Sequence, residues 1–395
     1  MKNPYKLFCI FWVLIFLSIS MVGTVFADNI KVGVLLPLTG KLAGAGEIEQ
    51  NSFLMAVNEL NEAGGVAGRK IDLIIEDSAT NPDAGNEAIE KLISQDRVVV
   101  VGGGCSSPVT LKAAAKAQEH EVPFLVNTAS ADEITEMKNK YVFRLNPPAG
   151  EYSRILVSFL TKVAHVKTVA ILYENTPFGR FGLKMFSRLR RKLGLRVVLK
   201  IGYGVSTRDF RSLLTTLKAR DPDMVYMISH NILDATLLTQ QADELKLRPR
   251  LFLGSAAGFS PPEFNEYSGD ASENVCSAVI WSPSVFYPGA RSYYERFFSQ
   301  YESSPDYHGA QAYAAMYVIA DALKRAKSLA PDHVRDALAE TDMMTVFGPV
   351  KFISYGKKTQ QNRLPTYLAQ WINGRLEIVW PREVATARYV YFVQN

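Results

Sequence analysis

The sequence predicts an α/β protein of two doubly wound domains joined by a three-strand hinge. Three observations carry that prediction. Short apolar runs alternate with amphipathic helical stretches from residue 30 onward. The alternation is interrupted by an extended, proline-bearing segment, "YVFRLNPPAG" (141–150), and then begins again. The elements beyond residue 275 are too few for a third domain, so they are expected to complete the first two.

In the first domain "IKVGVLLP" (30–37) reads as a buried strand. "EIEQNSFLMAVNELNEAGG" (47–65) reads as an amphipathic helix stopped by glycines. A strand at 70–77, a helix at 83–95, a strand at 97–101, a helix at 108–119 and a strand at 122–126 follow. This order implies a parallel sheet with helices on both faces. The second domain repeats the plan: helix 151–164, strand 168–174, helix 179–193, strand 195–201, helix 207–220, strand 223–229, helix 231–246 and strand 250–254. The repeat is one of architecture, without a repeated motif.

Next come a strand at 275–283, helices at 289–302 and 309–327, and an extended piece at 347–356. "PTYLAQWINGRLEIVWP" (365–381) reads as a hairpin with Asn373-Gly374 in its two-residue turn. The chain is expected to cross between domains near 145–150, 276–283 and 348–356. The expected lobes are 28–146 with 278–350, and 147–277 with 351–395. A cleft between two such lobes is where a ligand would sit.

The chain has 395 residues, 48% hydrophobic and 21% charged, with a net charge of +5. That suits two globular domains. Basic clusters such as "RLRRKLGLR" (188–196) fall at helical spacing and read as a solvated helix face. No basic stripe is interleaved with aromatics, so nucleic acid is not an expected partner. Residues 1–27 combine a short basic start, a long apolar run and "VFA" before "DN". They read as a secretory signal peptide cut after Ala27. An uncleaved anchor is the other reading of so long an apolar run. No cysteine follows that run to take a lipid. The expected location is the periplasm of a Gram-negative-type cell. Cys105 and Cys276 remain in the mature chain, and spacing alone does not decide whether they pair.

The stretch "RVVVVGGGCSSPVTLKAAAKA" (97–117) runs from a strand through glycines into a helix. Such a turn exposes backbone N–H groups at a positive helix end, which suits an anion. Neither G-x-G-x-x-G nor G-x-x-x-x-G-K-[ST] is present, so no nucleotide cradle is encoded. A carboxylate is the smaller anion that fits. Pro108 suits the first helical position, which makes Ser107 the expected N-cap and leaves Ser106 for a ligand. In "VNTASADEIT" (126–135), Ser130 and Glu133 fit a capping box, while Thr128 and Ser130 are expected at the same mouth as Ser106. A nucleophilic role for Cys105 or Ser106 needs a base, and none of the five histidines sits in a recognisable partner motif. Metal-ligand spacings are also missing, and no cofactor is expected.

The segments "IKVGVLLPLTG", "AVNELNEAGGVAGRKIDLIIEDSATNP", "VVVVGGGCSSPVTLKAA", "VPFLVNTASADEIT" and "MMTVFGPVKF", in that order, resemble the leucine/isoleucine/valine-binding protein family. The resemblance spans nearly all of 30–380. It implies a type I periplasmic-binding fold and the solute-binding role of an ABC importer, with a small-molecule ligand, an inner-membrane permease as partner and a monomeric chain. It also implies that Ser106 and Ser130 hold a carboxylate and that the carbonyl of Thr128 takes an ammonium. Phe178 and His230 then cover the ligand from the second domain. Three positions depart from the family pattern. Ala256 or Ala257 stands where an acid for the ammonium is expected. Ala45 stands where an aromatic often lies. Thr80 stands where some members have a cysteine, which leaves Cys105 without that partner. Asp234 is a possible replacement acid or simply an exposed first-turn helix residue. Two other functions fit the same pattern: a periplasmic sensor feeding a signalling receptor, and a hydrolase using Cys105 or Ser106.

Overall fold

The computed structural model describes residues 28–391 except Val205 and His230. The expected signal peptide lies outside the described residues. Two sheets organise the chain, as predicted. The first grows from β1 (Ile30–Leu36), an apolar run buried everywhere but Lys31. On one side lies β2 (Ile71–Asp77), and on the other β3 (Val100–Gly103), β4 (Phe124–Val126) and β5 (Val142–Arg144), all parallel. Next to β5 lie β13 (Lys358–Asn362), β12 (Gly348–Tyr355) and β11 (Asp342–Thr345). The second sheet has the order β7 (Arg196–Tyr203), β6 (Thr168–Glu174), β8 (Met224–Ile228), β9 (Leu251–Gly254), β10 (Val275–Val279), β14 (Tyr367–Ile372) and β15 (Arg375–Trp380).

Helices cover both faces of each sheet. In the first lobe α1 (Ala43–Glu62), α10 (Ala290–Tyr301), α11 (Tyr307–Arg325) and α12 (Pro331–Ala339) share one core. On the other face α2 (Pro82–Ser94) and α3 (Ser107–Glu119) pack together. In the second lobe α4 (Ala149–Phe159) and α5 (Pro177–Leu193) lie on one face. The other carries α6 (Arg211–Lys218), α7 (Ile232–Glu244), the short α8 (Ala256–Phe259) and α9 (Pro262–Ser268). Local sequence sets many of the ends. The side chain of Asn81 caps α2, Thr176 caps α5 and Asn231 caps α7, while Gly194, at φ +66°, closes α5. The expected hairpin forms β14 and β15, with Asn373 and Gly374 at φ +50° and +70° in its turn.

The third crossing is displaced from its expected place. β12 and β13 both belong to the first sheet, so the chain leaves that lobe after Asn362 rather than within 348–356. The segment 351–362, expected in the second lobe, is therefore part of the first sheet. Asn362 donates to the carbonyl of Leu145 at 3.3 Å, and Gln361 to that of Asn146 at 2.9 Å. Two of the crossing segments thus start side by side. Cys105, in the turn after β3, and Cys276, inside β10, are free thiols among the described residues. Among the described residues no helix is long and apolar enough to cross a membrane, and no group of side chains is arranged to hold a metal ion.

Candidate functional site

Strand order fixes where a site can form. In the first sheet the order turns back between β1 and β3, and in the second between β6 and β8. At such a switch point the crevice outside the carboxyl ends of the strands is open. Ser106, Thr128 and Ser130 follow the carboxyl ends of β3 and β4, at the first of these points.

The glycine run has a steric purpose. Gly103 has φ +102°, and a Cβ there would lie 2.3 Å from the carbonyl oxygen of Leu35. Only glycine lets the chain turn so close to β1. The next loop is laced to this turn, with Asn127 N donating to Gly103 O at 2.9 Å and Ala129 N to Gly104 O at 2.8 Å.

Both expected helix caps differ from the structure. Helix α3 begins at Ser107, so Ser106 is the N-cap residue, and its side chain makes no capping bond. Ser107 Oγ instead accepts from Ala131 N at 3.2 Å, tying the helix to the following loop. The turn Asp132–Thr135 starts after Ala131, so the Ser130–Glu133 capping box does not form. Ser106 and Ser130 are half-buried, and neither hydroxyl has a hydrogen bond among the described residues. The neighbouring hydroxyls are committed. Thr110 Oγ1 donates to Ser106 O at 2.8 Å, and the buried Thr128 Oγ1 to Glu49 Oε1 at 2.6 Å.

Beneath this loop lie groups that sequence reasoning missed. Glu49, on α1, is fully buried, and its Oε2 has no hydrogen-bond partner. Its signal was present: Glu49 falls on the same stripe as Ser52, Phe53, Ala56 and Val57, all buried. Burial raises its pKa, against the opposing pull of His308, Thr128 and Asn127. His308 Nδ1 is 2.9 Å from Asp306 Oδ2. Burial opposes both charges, yet the pair prevails: Asp306 titrates below its usual range and His308 above. Glu49 binds its proton more tightly folded than unfolded, so its ionisation costs stability as pH rises through the folded pKa. Glu49→Gln is therefore expected to match wild type at acidic pH and to gain in Tm relative to it as pH increases. Scanning calorimetry across pH checks this, and a difference flat in pH contradicts it.

The Cys105 thiol is pushed well above its ordinary range by burial and by Glu49 beside it. An activated cysteine is shifted the other way. Arg144, also fully buried, clamps the Ser130 loop. Its guanidinium donates to the Ala131 carbonyl, to Thr135 Oγ1 at 3.1 Å and to Gln361 Oε1 at 2.6 Å. Asn146 Nδ2 donates to the Thr128 carbonyl at 2.5 Å and fixes the other end. Thr80 Oγ1 donates to Thr39 O at 3.1 Å and accepts from Leu42 N at 3.2 Å, so it fastens the first loop by hydrogen bonds.

In the second lobe Phe178 is the second residue of α5 and Ala256 the first of α8, both at carboxyl ends of strands. His230 lies outside the described residues. Glu174, a buried acid ending β6, accepts from Thr176 Oγ1 at 2.5 Å and Ser229 Oγ at 3.3 Å. It too was missed, although an acid closing an apolar strand is visible in "TVAILYE". Asp234 corrects the expectation of an exposed residue: it is buried in the first turn of α7, 3.4 Å from Arg208.

A model of the family described as periplasmic binding protein matches residues 29–375. The Leu/Ile/Val-binding protein homolog 7 of Brucella suis is 31% identical over 377 residues, covering 90% of this chain and 92% of that protein. Among solved structures, the branched-chain amino acid transporter substrate-binding protein LivJ from Streptococcus pneumoniae, in complex with isoleucine, aligns with a TM-score of 0.72 at 24% identity. That alignment covers 92% of this chain and 100% of that one. A solute binding protein of an ABC transporter from Rhodopseudomonas palustris BisB5, in complex with 3,4-dihydroxy benzoic acid, aligns with a TM-score of 0.70 at 23% identity, covering 89% and 95%. These two likenesses show a shared type I periplasmic-binding fold. With the family match running almost from one end of that fold to the other, the chain belongs to the periplasmic binding protein family, in its Leu/Ile/Val-binding branch.

Proposed function

We propose that the chain is the solute-binding component of an ABC importer. It takes a small carboxylate, a branched-chain amino acid or a related acid, between its lobes. The observation that carries this reading is the pair of uncommitted hydroxyls, Ser106 and Ser130, on adjacent turns at the switch point. Nearby hydroxyls are satisfied within the protein, so these two are available to an anion. The ligands named for the two structural neighbours, isoleucine and a dihydroxybenzoic acid, share a carboxylate and differ in the ammonium. The Thr128 carbonyl, with one lone pair engaged by Asn146, keeps the other for an ammonium. The family resemblance assigns Phe178 and His230 to cover the ligand from the second lobe, with Ala256 standing where the family's acid is expected. The lobes close by hinge motion about the crossing segments, and the closed monomer delivers its ligand to an inner-membrane permease from the periplasm. The raised Cys105 thiol supports binding rather than hydrolysis.

Thermal unfolding of residues 28–395 against a ligand panel tests this reading. The panel holds leucine, isoleucine, valine, their amides, and aromatic acids without an amine. A ligand at about 100 times its Kd is expected to add about 2.7 kcal/mol. Stabilisation by the amino acids but not their amides supports the carboxylate site with an answered ammonium. Stabilisation by amine-free acids alone assigns the site to simple carboxylates. The reading fails if no carboxylate shifts the transition.

A further inference from the structure

Helix α5 and the strand after it gather positive charge that no carboxylate among the described residues pairs with. Between Lys162 and Lys200 the chain has ten lysines and arginines and one acid, Glu174, which is buried. Arg180, Lys184, Arg188 and Arg191 with Lys192 recur along one exposed stripe of α5, while Phe186 and Leu189 point into the core. β7, the edge strand that follows the helix in sequence, adds the exposed Arg196 and Lys200.

Like charges four residues apart repel, so this arrangement works against the helix that carries it. Elsewhere some surface cations are paired with carboxylates, as in Lys91–Glu76, Arg211–Glu244 and Arg325–Asp321, and others stand singly rather than in a row. On α5, Arg180 bonds to Asn175 and Arg191 to the Ser187 carbonyl. Among the described residues no carboxylate pairs with any cation of the helix. Among the described residues, the large apolar side chains that are exposed, such as Phe286, Tyr267 and Phe298, lie on other elements. A protein partner is gripped by aromatic or aliphatic anchors at the centre of its interface. A row of exposed cations, with no such anchor among the described residues of the face, fits a fluid array of anionic headgroups instead.

We propose that the α5–β7 face docks the protein reversibly on anionic phospholipid, through the cations from Arg180 to Lys200. The docking is independent of which ligand the cleft takes. It engages one lobe only and leaves the other free to swing about the hinge.

The test is sedimentation of residues 28–395 with vesicles, either phosphatidylcholine alone or phosphatidylcholine with a third phosphatidylglycerol. Binding is expected only with phosphatidylglycerol and only at low salt. The triple variant Arg188→Gln, Arg191→Gln, Lys192→Gln is expected to lose about a hundredfold in vesicle affinity. A control triple, Lys70→Gln, Lys327→Gln, Lys357→Gln, removes the same net charge elsewhere and is expected to lose far less. Melting by circular dichroism confirms that both triples fold. Equal losses in the two triples would mean that net charge alone acts, which overturns the proposal. So does equal binding to phosphatidylcholine alone. Retention on immobilised polyglutamate without vesicle binding would assign the face to an acidic protein instead, and a wild type that binds neither leaves the stripe without this role.

Discussion

Replacing Ser106 with alanine is expected to weaken binding of the carboxylate ligand by about ten- to a hundredfold, because a hydrogen bond to a charged group contributes about 1.5–3 kcal/mol. The melting temperature of the unliganded protein is expected to stay almost unchanged. That split follows from the geometry. The Ser106 hydroxyl caps no helix and bonds to no neighbour among the described residues, so its removal breaks nothing inside the fold. Ser130→Ala should behave alike, for the same reason. The double variant should lose more than either single one, since both hydroxyls face one anion. Titration calorimetry and melting on the same samples measure both halves. A variant that melts early yet binds normally would mean the serine is structural, and the anion site would have to be sought elsewhere.

Arg144→Met is expected to have the opposite signature, a loss of about 3–5 kcal/mol in stability. The guanidinium is fully buried and is held by partners that stay behind when it is removed: Gln361, Thr135 and the Ala131 carbonyl. Each is then left inside the protein short of a hydrogen bond. Arg144→Lys is expected to rescue little of the loss, because one ammonium does not reproduce a planar fork reaching several acceptors at once. Urea unfolding measures both. Ligand affinity should fall as well, since the clamp that shapes the Ser130 loop is gone. An unchanged urea midpoint for Arg144→Met would show that the loop is held by the Asn146 and Ser107 contacts alone.

The sequence made the two sheets, the hairpin and the serine loops legible, because apolar period, glycine and Asn-Gly turn chemistry are local signals. What escaped it was non-local. β13 reads "KTQQN", a polar string that no periodicity rule assigns to a strand with a buried end. That end is buried because Gln361 and Asn362 satisfy Arg144 and the backbone of the crossing segments, partners more than two hundred residues away. The third crossing was misplaced for that reason. The cap at α3 was misread by one residue, since Ser106 and Ser107 are equally good capping types and only the contact from Ala131 distinguishes them. Glu49 and Asp234 were passed over or taken as exposed, because charge suggests a surface until a partner such as Thr128 or Arg208 is seen.

The pairing of β13 with β5 also constrains the order in which the protein comes together. Gln361 lies 217 residues beyond Arg144, its partner across the first sheet. Until residue 361 has been delivered, β5 is a bare sheet edge and Arg144 has no Gln361 to receive its guanidinium. β6 to β10, by contrast, arrive as one uninterrupted stretch, so the middle of the protein can collapse while the first lobe waits. An unfinished strand edge invites pairing with other chains. The newly delivered protein is therefore most prone to aggregation in the interval before residue 361 arrives, and a factor that shields β5 during that interval would raise the yield of folded protein without touching its final stability.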